Sequence, residues 1–113
     1  MRLTYDHAKT LVDQWQITAT IHEWRILAAA VMSNHFHLVV GAAETHHGSD
    51  LLRDFKSFGS RRLTEAFGRP RSGTWWTSSG SRRHLANGER VAAAVRYVLE
   101  QEFPLIVWRD ETL

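Results

Sequence analysis

Arg25-Ile26-Leu27-Ala28-Ala29-Ala30-Val31-Met32-Ser33-Asn34-His35-Phe36-His37-Leu38-Val39-Val40 is the stretch that decides the fold. Two apolar runs flank a two-residue polar connection, Ser33-Asn34. Runs of that length joined by so short a turn read as an antiparallel hairpin, one strand over Arg25–Met32 and a second over His35–Val40. Strand side chains alternate between faces, so Phe36, Leu38 and Val40 share one face, which reads as a core face. His35 and His37 share the other, about 7 Å apart along the strand. Imidazoles at that spacing can converge on one metal ion. A bare His-x-His strand equally fits two polar residues on a wet surface.

Tyr5 to Trp24 has helical spacing at Ala8, Leu11, Val12, Trp15 and Ala19. Thr4, with Asp6 and His7 after it, suits the start without completing a capping box. Gly41–Ser49 reads as a loop. Ser49 or Asp50 then opens a helix to about Phe67, with an apolar stripe of Leu51, Leu52, Phe55 and Phe58. Gly68–Gly73 breaks it. Thr74–Thr77 suits a short strand, and Ser78–Asn87 is polar and irregular. A helix from Asn87 or Gly88 to near Gln101 follows, and Leu105–Trp108 reads as a last strand. Helices interspersed with a hairpin predict an α+β fold: a single antiparallel sheet with helices packed on one face.

On the last helix, Val91, Ala94, Val95, Val98 and Leu99 form the buried stripe. Tyr97 and Gln101 stand one turn apart at its border. Tyr97 suits an amphipathic edge position, and it also suits a phenol nucleophile activated by a neighbouring metal or base. The amide oxygen of Gln101 suits a hard divalent cation, although such a residue is commonly plain surface.

Length and composition bound the rest. The 113 residues suit one domain over 1–113. Cysteine is absent, which excludes disulfides, a thiol nucleophile and thiolate zinc sites. No apolar run reaches membrane-spanning length, and Met1–His7 turns polar too soon for a signal peptide, so a cytoplasmic protein without membrane contact is expected. The formal net charge of +2 is unevenly spread: from Arg53 to Arg96 ten basic residues face three acidic ones, a net of +7. Such a block is the footprint of a polyanion partner, although a solvated basic surface gives the same count.

Met32-Ser33-Asn34-His35-Phe36-His37-Leu38-Val39-Val40 resembles the histidine strand of the single-tyrosine HUH transposases. These include small insertion-sequence transposases and REP-associated tyrosine transposases. Asp54-Phe55-Lys56-Ser57-Phe58-Gly59-Ser60-Arg61-Arg62-Leu63 resembles the Lys/Ser/Arg-rich helix that follows it in the superfamily. Trp75-Trp76 and Ala94-Val95-Arg96-Tyr97-Val98-Leu99-Glu100-Gln101 resemble its Trp-containing stretch and its Tyr-x-x-x-Gln helix. The resemblance covers about residues 5 to 108.

It implies a ferredoxin-like sheet and metal-dependent cleavage and rejoining of single-stranded or hairpin DNA in transposition, at the nucleoid. His35, His37 and Gln101 would hold one Mg²⁺ or Mn²⁺, and Tyr97 would form a 5′-phosphotyrosine link. Lys56, Arg61, Arg62, Arg82 and Arg83 are the implied phosphate contacts, and Trp75 an implied base contact. Superfamily members begin with a strand that is missing here. That predicts a bare sheet edge beside Arg25–Met32 and a homodimer that covers it, by edge pairing or by exchange of Leu105–Trp108. The competing reading is a non-catalytic nucleic-acid-binding module descended from such an enzyme. A small metal-dependent hydrolase unrelated to DNA is a third, needing neither Tyr97 nor the arginines.

Overall fold

A computed structural model describes residues 2–42, 48–76 and 88–112. In chain order the elements are α1 (Tyr5–His22), β1 (Arg25–Val31), β2 (Phe36–Gly41), α2 (Gly48–Phe67), α3 (Gly88–Leu99) and β3 (Ile106–Arg109). The strands form one antiparallel sheet in the order β2-β1-β3. This is the expected α+β fold, with a strand set consistent with part of a ferredoxin-like sheet.

β1 is the centre of the sheet. β2 pairs with one of its edges and β3 with the other. The edge beside Arg25–Met32 is therefore not bare, contrary to expectation. Among the described residues the open edges are the outer ones of β2 and β3.

The helices also divide between the faces instead of sharing one. α1 and α2 belong to a core in which Leu11, Trp15, Phe55 and Leu63 meet Ile26, Ala29 and Val31, with Phe36, Leu38 and Val40 against them. On the other face Val95 and Val98 of α3 meet Ala28, Ala30, Met32 and Val39. A strand covered on both sides needs apolar residues at every position, which is why β1 shows no polar alternation.

The face assignment depends on a bulge. The register runs Ile26↔Val40, then Ala28↔Val39, with Leu27 as the extra residue. That insertion shifts the alternation, so Ile26 faces α1 while Ala28 and Ala30 face α3.

Indole donors tie α2 to its surroundings. Trp15 Nε1 donates to the Phe55 carbonyl at 3.2 Å and Trp76 Nε1 to the Lys56 carbonyl at 3.0 Å. Trp75 Nε1 donates to Thr64 Oγ1 at 3.0 Å. The segment 74–76 is a bend, not the expected strand. No helix among the described residues is long and apolar enough to cross a membrane.

Candidate active site

The alternation of β2 sends Phe36, Leu38 and Val40 into the α1/α2 core and leaves His37 and Val39 on the α3 side. Val39 is buried there, so this face is not the open wet surface that an isolated strand would present. His35 lies just before β2, where the Met32 N–H donates to its carbonyl at 2.8 Å and closes the hairpin. The two imidazoles meet edge to face, with ring centroids 5.2 Å apart and planes at 88°.

α3 brings Tyr97 to the same place. Its ring stands edge to face with His37, centroids 5.6 Å apart. Two residue choices put it there. Val95 and Val98, three apart on the helix, bury against the sheet. Ala28 and Ala30 meet them with a single methyl each, so the helix can lie close. Ala30 is the register partner of His37. It carries no chemistry, and its role in seating α3 was not read from the sequence. The run Ala28-Ala29-Ala30 places small residues on both faces and so gives no signal of which one seats α3.

The chemistry of the three rings is distinct. Partial burial, with the adjacent His35 as a lesser cause, lowers the pKa of His37. His37 is thus held in the neutral form, with a ring lone pair, at neutral pH. His35 Nδ1 lies 2.6 Å from Asn34 Oδ1. The Asn34 oxygen can only accept, so this contact suits a proton on Nδ1 of His35. Tyr97 is 61% exposed, so its hydroxyl is open to a macromolecular substrate. Gln101 sits just past the end of α3, and its Nε2 donates to the Tyr97 carbonyl at 3.0 Å. The hydrogen bond of this side chain therefore goes to α3, not to a histidine. Among the described residues no three His, Asp or Glu side chains are grouped as a metal site, so a cation here would rest on the two imidazoles and a neutral donor such as the Gln101 Oε1.

The expected DNA contacts are placed elsewhere. Lys56, Arg61 and Arg62 are on α2, which packs on the α1 side of the sheet, across from Tyr97. Arg61 lies over the Phe58 ring at 5.5 Å, and Arg62 pairs loosely with Glu65 at 3.8 Å. Arg61 and Arg69 line an open groove of about 520 Å³ with Thr64 and Thr74. Trp75 is a core residue, 6% exposed and edge-on to His7. Its ring faces are covered, and it has no surface to offer a base. Arg82 and Arg83 lie outside the described residues.

Neither curated proteins nor solved structures gave a match. A family model described as "Transposase IS200 like" matches residues 2–101, and the chain belongs to that family of IS200-like transposases.

Proposed function

We propose that this protein cleaves and rejoins single-stranded or hairpin DNA through Tyr97, in DNA transposition. Membership of the family makes it a DNA-processing enzyme of transposition. The observation that carries the finer reading is the unbroken ring contact from His35 to His37 to the exposed Tyr97 within one chain. The Tyr97 oxygen attacks phosphorus, a 5′-phosphotyrosine bond forms, and the leaving 3′-oxygen takes up a proton. The phosphodiester energy is kept in that bond, so a second 3′-hydroxyl can reverse the step without ATP.

His35 and His37 offer two imidazole nitrogens, and the Gln101 amide an oxygen. The Gln101 oxygen and the positions left for water and substrate oxygen suit Mg²⁺ or Mn²⁺, and of the two Mn²⁺ takes imidazole more readily. A bound divalent cation would polarise the scissile phosphoryl group. The neutral state of His37 serves this role, because a protonated imidazole cannot ligate. We also propose a homodimer joined through an open sheet edge, now the outer edge of β2 or β3.

The test uses end-labelled single-stranded DNA with Mg²⁺ or Mn²⁺. Wild-type protein is expected to form a covalent adduct that survives denaturing electrophoresis. Tyr97→Phe should lose the adduct while binding DNA within about twofold, since only a hydroxyl is removed. DNA binding by wild type without any adduct would instead support the binding-only reading. A monodisperse monomer at high micromolar concentration would remove the dimer.

A further inference from the structure

Phe103 is the most exposed large apolar residue described, at 90%. Its backbone is also strained, with φ of +57°, a region that bulky side chains rarely adopt. The only other non-glycine residue with positive φ among those described, Glu23, caps the C-terminus of α1, where left-handed geometry is routine. Phe103 has no such excuse, and it precedes Pro104, which restricts its backbone further. A chain selected only for stability would place glycine at 103 and would not leave an aromatic ring in water. Strain and exposure together at one residue point to a use for the ring.

Its position narrows that use. Phe103 is two residues past Gln101, in the connection between α3 and β3. Two residues later, the Leu105 N–H donates to the Val31 carbonyl at 2.8 Å. Val31 is also the register partner of Phe36, and the Met32 N–H bonds to the His35 carbonyl. The α3–β3 connection therefore lies at the same end of the sheet as the hairpin turn that carries Asn34 and His35.

We propose that Phe103 is a stacking platform for an unpaired base of the single-stranded DNA that reaches Tyr97. The inference rests on the function proposed above and specifies how the substrate is held. An aromatic face accepts any base, and needs the strand to be unpaired. The neighbouring Glu100 and Glu102 are exposed carboxylates that repel phosphate, so a strand passing here turns its bases, not its backbone, toward the protein. The strained turn holds the ring outward before DNA arrives, which reduces the ordering cost of binding.

The test compares the full wild-type chain with Phe103→Gly and Phe103→Trp. The probes are single-stranded oligonucleotides carrying 2-aminopurine at successive positions. Glycine relieves the positive φ, so Phe103→Gly should melt at a higher temperature than wild type. It should nonetheless bind the oligonucleotides about 5- to 150-fold more weakly, the usual range for losing one stacked base. The salt slope should be unchanged, because no phosphate contact is lost. Quenching at one 2-aminopurine position should disappear in Phe103→Gly and return in Phe103→Trp. Affinity within twofold of wild type for Phe103→Gly, or a loss that tryptophan does not restore, overturns the proposal. So does dissociation of a dimer in Phe103→Gly, which would show that the ring covers a second copy of the chain. The adduct assay separates the two readings. An adduct that forms normally in Phe103→Gly with unchanged affinity leaves the tyrosine chemistry standing and removes the platform. Phe103-dependent quenching without any wild-type adduct does the reverse.

Discussion

Ala30 is fully buried opposite His37, beneath Val95 and Val98. Its smallness matters more than its apolarity. Ala30→Leu inserts three carbons between α3 and the sheet, an overpacking cost of about 1–3 kcal/mol. The same insertion lifts Tyr97 from His37, so adduct formation should slow by more than the loss of folded protein explains. Ala29→Leu is the control: Ala29 is equally buried but faces the α1/α2 core. It should cost similar stability in chemical denaturation and leave the adduct rate per folded molecule near wild type. Gly59 shows the same dependence on volume. A Cβ there would stand 2.6 Å from Leu11 Cδ1, and Leu11 is itself fully buried and cannot swing away. Gly59→Ala gains up to about 1 kcal/mol in helix propensity against about 1–3 kcal/mol of overpacking. The expected net is a destabilised protein, read as a lower denaturation midpoint. Neither role was legible from the sequence, where glycine in a helix and alanine in a strand register only as weak formers. The histidines and the tyrosine were legible because their spacing and order carry information without the fold.

Local signals set the elements well where one face is wet. α1 begins at Tyr5 and α3 at Gly88, as the periodicity predicts, while β3 is displaced by one residue. The cap of α1 is more complete than expected. Thr4 Oγ1 accepts from the His7 N–H, and His7 Nδ1 accepts from the Thr4 N–H, a reciprocal capping box with histidine in the usual glutamate position. Thr4→Ala should cost about 1 kcal/mol, measured by denaturant unfolding, with no change in DNA binding. β1 was legible as a strand but not in its faces. A run buried on both sides has no alternation to read, so neither the bulge at Leu27 nor the position of α3 on the far face could be inferred from it. The tryptophans misled for a related reason. The resemblance implied a ring for DNA at Trp75, whereas its buried indole is spent on Thr64.

At the scale of the whole molecule, the chain closes on itself through contacts that sequence patterns do not announce. Arg25 opens β1, and its guanidinium meets the Asp110 carboxylate and the Thr112 hydroxyl, just beyond β3. The Asp110 N–H donates to the Leu27 carbonyl at 3.0 Å, beside the bulge. These residues, more than 80 positions apart, hold the C-terminal end of β3 on β1. The Arg25 guanidinium, with hydrogen bonds from Thr112, holds the Asp110 carboxyl well below the usual carboxylate range. A carboxylate with a depressed folded-state pKa contributes stability that is present above its unfolded value, near pH 4, and is lost as pH falls below it. Asp110→Asn removes that contribution. Wild type should therefore be more stable than Asp110→Asn at pH 7, and the gap should narrow as unfolding is measured at successively lower pH below about 4. High salt should narrow it at pH 7 as well, because the pair lies at the surface and is screened. No gap at any pH would show that Asp110 acts through its backbone bond to Leu27, which asparagine keeps, and not through its charge.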